Sequence, residues 1–538
     1  LYSCGNKEKA SHEKMLSVLN DIAVVNNVPD NYFASAAKVP FYSSLLTGAK
    51  SGEDSLQYNF LLAKAYMELG NEQNSISLLE KILHDLTIKT NYWQTPIKKE
   101  LAISWLRTGE RINCITTHGA ESCIFPIRGG GLHKDKTGSS RAIELYTTLL
   151  ETDPSDIESR WLLNIAYMTT GQYPGKVPAK YLIKGLGEDT SSLVKPFTDL
   201  SYVTGLNTKN MAGGSIIDDF DNDGYMDIIT SGWGLNEGMH YCHNNASGTF
   251  SDFSARSGLE QLTGGLNIIQ TDYNNDGFKD IFVLRGAWKG NYGREPNSLL
   301  KNNGDGTFTD VTIQAGLFSK FPTQTATWAD FNNDGWLDVF IGNETSDLSM
   351  YAPCELFLNN KNDTFTEIAS AAGVSIAAFV KGVTSGDYNN DGLMDIFLST
   401  MNGVQTLLKN DGIKNGIPKF KNVSKAAGFN KGRTRTFGTW FWDFDNDGWL
   451  DIAVNAYHFN TSLGCYAALE ALGKLPAEPT GQTLLYRNRG DGTFEEVSQK
   501  VGLNKVAFAM GCNFGDIDND GYPDIYLGTG NPLYTSLV

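Results

Sequence analysis

The chain has 538 residues, a formal net charge of −17 at pH 7, 41% hydrophobic and 11% aromatic residues, and 56 glycines. Single cores stop growing near ~250–300 residues, so two or three domains are expected. The composition excludes extended disorder, the acidity argues against a nucleic-acid partner, and no run approaches the ~18 apolar residues of a membrane-spanning helix.

The first four residues, "LYSC", put Leu1 three positions before Cys4 and the small Ser3 next to it. This resembles the end of a bacterial lipoprotein signal peptide, whose cysteine is lipidated, with residues 1–20 then a polar tether. A chance cysteine is the alternative. The lipidated reading places the protein on the bacterial outer membrane through a lipid anchor, at the cell surface rather than the periplasmic side. Six further cysteines, an even number, are compatible with an oxidising compartment.

Residues 57–83 carry apolar positions at helical spacing, broken at Gly70. Small, aromatic and Gly positions recur three and then four apart: Ala63/Tyr66/Gly70, Ala102/Trp105/Gly109 and Asn164/Tyr167/Gly171. With Ala142/Tyr146/Leu149/Pro154 these offsets resemble a tetratricopeptide repeat, in which the small residue permits close packing and Gly turns the chain. Residues 21–190 are therefore expected to form a tetratricopeptide-like helical domain. An insertion at about 111–138 holds Cys114, His118, Cys123 and His133. A Cys114–Cys123 disulfide, thiols and a metal site are all compatible with that spacing, which matches no mechanically justified zinc pattern.

From 191 to 538 a unit of roughly 57 residues repeats: a strand-like phrase such as "FTDVTIQAGL", an apolar stretch, an Asp-rich loop, a short apolar run and a strand closed by a Gly-Asp-Gly turn. Four short strands per unit predict a β-propeller. The fold class is multidomain α + β, a helical repeat followed by a calcium-binding propeller with seven blades preferred and six possible. Phe197–Ser201 is expected to close the ring as an outer strand.

Six loops of the form D-x-[DN]-x-D-G-x-x-D carry the acidity. Position 1 is Asp219, Asp272, Asp330, Asp387, Asp443 and Asp516; position 3 is Asp221, Asn274, Asn332, Asn389, Asp445 and Asp518. Position 5 is Asp223, Asp276, Asp334, Asp391, Asp447 and Asp520, and position 9 is Asp227, Asp280, Asp338, Asp395, Asp451 and Asp524. An EF-hand needs a bidentate Glu at position 12, where this chain has Thr230, Val283, Ile341, Leu398, Val454 and Leu527. Oxygens at 1, 3, 5 and 9, with a backbone carbonyl at 7 (Tyr225, Phe278, Trp336, Leu393, Trp449, Tyr522), can instead wrap a hard cation inside a hairpin, and the Gly at 6 permits the bend. About six Ca²⁺ sites are expected, weaker where position 3 is Asn. Six divalent cations would move the net charge of −17 to about −5.

These loops and the G-D-G-T-F-x-D-V-T-x-x-A-G-L phrases resemble the FG-GAP/VCBS repeats of integrin-α-type propellers. They are still more similar to the cartilage-acidic-protein group of bacteria and animals, as are "CIFPIRGGGLHKDKTGSS" and "RWLLNIAYMTTGQYPGKVP" in the helical part. The resemblance implies a seven-bladed propeller with structural calcium and implies no activity.

Strand order puts the Asp loops on one face and variable loops carrying Trp233, Trp288, Tyr292, Arg294, Tyr351 and His458 on the other. Aromatic and Arg residues there suit protein or glycan recognition, or simply packing between blades. In "HYCH", His240 and Cys242 could donate to a soft metal from one strand face, with His243 pointing away, and Cys512 is expected as a buried small hydrophobe on an inner strand. No G-x-S-x-G, H-E-x-x-H or Walker A pattern occurs. Two functions stand: a non-catalytic surface lipoprotein serving as an interaction scaffold in an outer-membrane β-barrel complex, for barrel assembly or nutrient import, or a metal-dependent or carbohydrate-active enzyme or binding module on the face opposite the calcium loops.

Overall fold

The structure, a computed structural model, describes residues 2–85, 91–115, 121, 125–186, 197–208, 210–346, 349–429, 435–458, 461–475 and 481–529. The chain divides into two compact units. One comprises Leu1–Asn26, Thr204–His458 and Thr480–Gly530; the other contains Asn27–Val203 and Phe459–Pro479.

The helical unit contains α2 (Ser35–Thr47), α3 (Gly52–Glu68), α4 (Glu72–Asp85), α5 (Asn91–Glu110), α6 (Thr137–Thr152) and α7 (Ile157–Thr169), each packed on its sequence neighbour. Ser51 and Asp156 start α3 and α7 by accepting the N–H groups of Asp54 and Ser159 at 3.0 and 3.2 Å. The small residues Ala63, Ala102, Ala142 and Asn164 have no exposed surface, so helices can approach closely at those points. Gly70 and Gly171 turn the chain with φ of +68° and +73°. Gly109 does not: α5 runs through it into one π-helical turn, Arg111–Ile115. Its role is close approach, because a methyl group on Gly138 of α6 would lie 2.7 Å from the Gly109 nitrogen and 2.4 Å from the Trp105 carbonyl oxygen. The helix Leu463–Ala471, within the long insertion between two strands, contributes Ala468 to this unit's core.

The other unit is a series of sheets. Ala212–Asp218, Asp227–Gly232, His240–Asn244 and Phe250–Asp252 form β1–β4; Asn267–Thr271, Asp280–Leu284, Ser298–Asn302 and Phe308–Asp310 form β5–β8. Thr323–Ala329, Asp338–Asn343, Glu355–Asn359 and Phe365–Glu367 form β9–β12, and Val380–Gly386, Asp395–Thr400, Thr406–Lys414 and Ile417–Asn422 form β13–β16. Thr436–Trp442, Asp451–Ala456, Leu484–Asn488 and Phe494–Glu496 form β17–β20, followed by the pair β21 (Ala509–Gly515) and β22 (Asp524–Thr529). Each sheet is an antiparallel meander, and first strands stand side by side in the order β1, β5, β9, β13, β17, β21. Among the described residues this makes five four-stranded sheets and one of two strands, in an array that is not closed.

The second strands β6, β10, β14 and β18 bury both faces. In β6, Ile281 and Val283 join a core with Ile216 and Ile229 of the preceding sheet, whereas Phe282 and Leu284 join one with Val339 and Ile341 of the following sheet. Period-two alternation thus glues this sheet to both neighbours. The "F-x-D" phrases that open the sequence units are outer strands of the preceding sheet, so repeat and sheet are offset by one strand. Phe197–Ser201 is not a strand: residues 197–200 lack regular structure and Ser201–Thr204 is one helical turn, like the turn Thr312–Ala315 after β8.

Of the expected tether 1–20, residues 2–20 lie in helix α1 (Tyr2–Asn26), which packs on β8 and the following turn. Leu19 enters the first inter-sheet core, Glu8 pairs with Lys301 at 3.0 Å, and His12 Nδ1 accepts the Asp310 N–H at 3.1 Å. The side chain of Cys4 lies outside the described residues, as do Cys123 and His118.

Candidate metal centre

All six Asp loops join the first and second strands of their sheets and share one hydrogen-bond scheme. The position-1 carboxylate accepts the N–H groups of positions 5 and 6: Asp330 takes Asp334 N and Gly335 N at 2.9 and 2.7 Å, and Asp387 takes Asp391 N and Gly392 N at 3.0 and 2.7 Å. The position-5 carboxylate accepts the N–H of position 7, as in Asp223 to Tyr225 at 2.8 Å. Position 4 is Asn in the left-handed region, φ +52° to +59°, and position 6 is Gly at φ +82° to +90°. Such a bend favours Asn and Gly at those two points.

Position 9 begins the second strand, and Asp227, Asp280, Asp338, Asp395 and Asp451 have no exposed surface. In the second to fifth sheets each accepts two backbone N–H groups: Asp338 takes Asn359 N at 2.9 Å and Phe331 N at 3.1 Å. Asp227 accepts Asn244 N and the Tyr241 hydroxyl, both at 2.8 Å. Burial lifts Asp280 to about 8 and Asp338, Asp395 and Asp451 to about 7, because a carboxylate in the sheet interior lacks solvent to stabilise its charge.

Position 3 tests whether a cation fits. Asp221 Oδ1, Asn332 Oδ1, Asn389 Oδ1 and Asp445 Oδ1 are buried and accept no hydrogen bond. The equivalent atoms of Asn274 and Asp518 accept the position-5 N–H at 3.3 and 3.2 Å. An unmet buried acceptor costs ~1–3 kcal/mol, which a hard cation would offset. Where position 3 is Asp, the carboxylates converge within 4.8 Å: Asp219/Asp221/Asp223, Asp443/Asp445/Asp451 and Asp516/Asp518/Asp524. The residues fit a cation bound by oxygen.

Basic side chains stand on several of these carboxylates. Arg487 on β19 reaches Asp445 at 2.6 Å and Asp447 at 2.7 Å, Lys409 on β15 reaches Asp391 at 3.1 Å, and Lys361 reaches Asp334 at 3.3 Å.

Two sets of asparagines, not singled out from the sequence, tie the loops together. Position-4 side chains donate to the position-6 carbonyl of the next loop: Asn222 to Gly277 (3.2 Å), Asn275 to Gly335 (3.4 Å), Asn333 to Gly392 (2.9 Å), Asn390 to Gly448 (3.2 Å) and Asn446 to Gly521 (3.0 Å). The fifth residues of the third strands, Asn302, Asn359, Asn410 and Asn488, donate to the position-2 carbonyl of the preceding loop at 2.8, 2.8, 3.0 and 2.8 Å. The invariable Asn before "DG", and the "N" at the fifth position of each of these third strands, are the signals that would have found them.

At the other end of the sheets, Trp288 stacks on Phe437 at 5.7 Å, meets Phe379 and Tyr457, and lies over Lys381 Nζ at 3.1 Å. Lys381 and Glu344 form a buried ion pair, and Glu344 also accepts the Trp288 N–H at 2.9 Å. Trp288 has φ +69°, an unusual value for a bulky residue. His458 stacks on Phe508, Trp233 is half-buried beneath Lys289, and the Tyr292 carbonyl accepts the Asn26 amide at 2.7 Å. Arg294 and Tyr351 are exposed. The expected partner face is therefore in good part a packed aromatic cluster.

His240 and Cys242 share a face of β3, Cys242 is buried, and no third metal-ligating side chain gathers on them among the described residues. His243, on the opposite face, turns toward the first Asp loop. Cys512 is half-buried on β21, where burial pushes its thiol up to about 12. In the helical unit, Cys114 Sγ lies 3.6 Å from His133 Nε2, whose Nδ1 meets Ser139 Oγ at 3.0 Å.

Repeated meander sheets, each with an aspartate hairpin between its first two strands, define a β-repeat protein with cation-type loops. The FG-GAP-like repeat family matches at residues 219–283, 272–341, 330–398, 387–454 and 476–527, more than half of the chain, and the protein belongs to that family. Cartilage acidic protein 1 of Xenopus tropicalis is 27% identical over 212 residues, 38% of this chain and 31% of that protein. The proteins of that name from Homo sapiens and Mus musculus are 26% and 24% identical over 209 and 293 residues, covering 38% and 52% of this chain and 30% and 41% of theirs. The matches thus span about a third of the length of the first of these relatives. Among solved structures, the Vibrio cholerae biofilm matrix protein Bap1 aligns with a TM-score of 0.29 and 14% identity over 54% of this chain and 40% of that one.

Proposed function

We propose that the protein is a non-catalytic interaction scaffold whose β-repeat unit is held together by calcium. The observation that carries the reading is the buried position-3 oxygen left without a hydrogen bond in four loops of one repeated design. A catalytic centre would place distinct groups in one cleft, whereas here one cation cage recurs beside every sheet. Partners on this reading are other surface or outer-membrane proteins, including β-barrel complexes, or a glycan, with anchorage through a lipid on Cys4. None of the described helices is long and apolar enough to cross a membrane.

Metal analysis of the purified full chain tests the cation, with calcium at several equivalents expected. A native pull-down from solubilised outer membranes tests the scaffold: defined partners that depend on calcium support it. A protein recovered alone, from a membrane fraction that does hold it, would refute it.

A further inference from the structure

The first loop differs from the others in what faces it from the third strand of its own sheet. The fourth residue of the third strand, next to its asparagine, is His243 in β3, against Lys301, Leu358, Lys409 and Arg487 in the next four sheets. Lys409 and Arg487 put a cation on loop carboxylates; the first sheet puts an imidazole there.

His243 Nδ1 lies 3.3 Å from Asp221 Oδ2 and 3.3 Å from Asp227 Oδ1. The ring is held by stacking on Phe253 at 4.5 Å and 11°, with the Arg256 guanidinium 4.7 Å from the same phenyl ring. Despite these short distances Nδ1 is buried and makes no hydrogen bond, and neither does buried Asp221 Oδ1. Asp227 has no exposed surface. Two carboxylates and an imidazole therefore bring their donor atoms within 4.8 Å of one another while two of those side chains keep an unmet buried atom.

We infer that the first loop takes a zinc-class divalent cation through Asp221, Asp227 and His243, while the other five take calcium. The inference rests on the reading of the loops as cation sites and adds a nitrogen donor to one of them. Calcium prefers six to eight oxygens, whereas imidazole with carboxylate suits zinc and its neighbours. A separation of 3.3 Å between donors is also the edge of a tetrahedron with bonds of ~2.0 Å, the zinc–nitrogen and zinc–oxygen length. The protein supplies three ligands, which leaves a position for water or for Asp219 or Asp223.

The test is a zinc titration of the full chain, stripped of metal and then saturated with calcium, against a competing chelator. One zinc equivalent is expected, bound at least tenfold more weakly by His243→Phe and His243→Gln and unchanged by His240→Ala. The phenyl variant keeps the stack on Phe253, and its melting temperature in calcium checks the fold. Cobalt should give an intense visible spectrum in the wild type that His243→Phe lacks. Equal zinc affinity in wild type and both His243 variants, or displacement of zinc by equimolar calcium, would overturn the inference and leave the calcium reading intact. Zinc binding lost in the variants, in a protein that retains no calcium anywhere, would sustain the zinc assignment of the first loop and sink the calcium reading of the other five.

Discussion

The side chain of Asn333 donates to the carbonyl oxygen of Gly392 at 2.9 Å, so a residue inside one Asp loop holds the glycine bend of the next. Five such links run along the unit in the same sense. On the proposed calcium reading, a loop ordered by its ion would present its neighbour with a fixed acceptor, and ordering one site should ease ordering of the next. Asn333→Gly keeps the left-handed backbone and removes only the link; it should cost about 0.5–1 kcal/mol and reduce cooperativity between the third and fourth loops. Asn333→Ala adds strain at φ +52° and should cost about 1 kcal/mol more. Calcium titration by calorimetry, with denaturant melts, reads both; unchanged cooperativity in the Gly variant would refute the coupling.

Calcium removal should lower the melting temperature markedly, since each ion bound only in the folded state contributes about 2.7 kcal/mol at a hundredfold excess over its dissociation constant. Occupancy should not follow position-3 charge alone. The fifth loop has Asp445, yet Arg487 already holds Asp445 and Asp447. Arg487→Gln should raise calcium affinity at that loop severalfold while slightly destabilising the chelated protein, because the pair is 43% exposed on the arginine side and screened by solvent. Equal affinity in a titration of variant and wild type would show that the guanidinium simply moves aside.

Acid should stabilise the chelated protein. Burial raises Asp280 to about 8 and Asp338, Asp395 and Asp451 to about 7, above the unfolded value near ~4. Between those values the native state holds protons that the unfolded state has released, so stability falls as pH rises from about 4 to about 8. Buried Glu344 and Glu355, also raised by burial, act in the same direction. Asp135 and Asp491, lowered mainly by hydrogen bonds from Thr137 and Thr493, act below that window. With calcium in excess the trend should reverse, as protons compete with the ion. Melting curves in chelator and in calcium at pH 5 and pH 8 check the sign.

The repeat architecture was legible because its determinants are local: the Asp-loop spacing fixes a hairpin, and the position-12 residues rule out an EF-hand. What was not legible depends on neighbours. Gly109 read as a turn by its offset from Trp105, but its helix continues because α6 brings Gly138 against it. Phe197–Ser201 carries the outer-strand phrase, yet among the described residues it joins no sheet, and the chain passes directly into the helical turn Ser201–Thr204. At the candidate metal centre, the spacing of the aspartates could be read from one loop alone, whereas the Asn333–Gly392 link and the approach of His243 to Asp221 join segments that only the folded sheets bring together.

The Lys381–Glu344 pair closes the far end of the sheets. Burial lowers the Lys381 ammonium to about 8 and raises Glu344, and Trp288, Phe379 and Phe437 all face the Nζ. Removing one partner leaves the other charge buried, at about 3–5 kcal/mol, whereas removing both into matched apolar or neutral groups is far cheaper. Lys381→Met should therefore destabilise the β-repeat unit by that amount, and Lys381→Met with Glu344→Gln should recover most of it. Trp288→Gly relieves the φ of +69° but empties the stack on Phe437, so a net loss of about 2–4 kcal/mol is expected if the indole serves packing. If Trp288 instead strains the backbone to present a recognition surface, the Gly variant should melt no lower than wild type while losing partners in the pull-down.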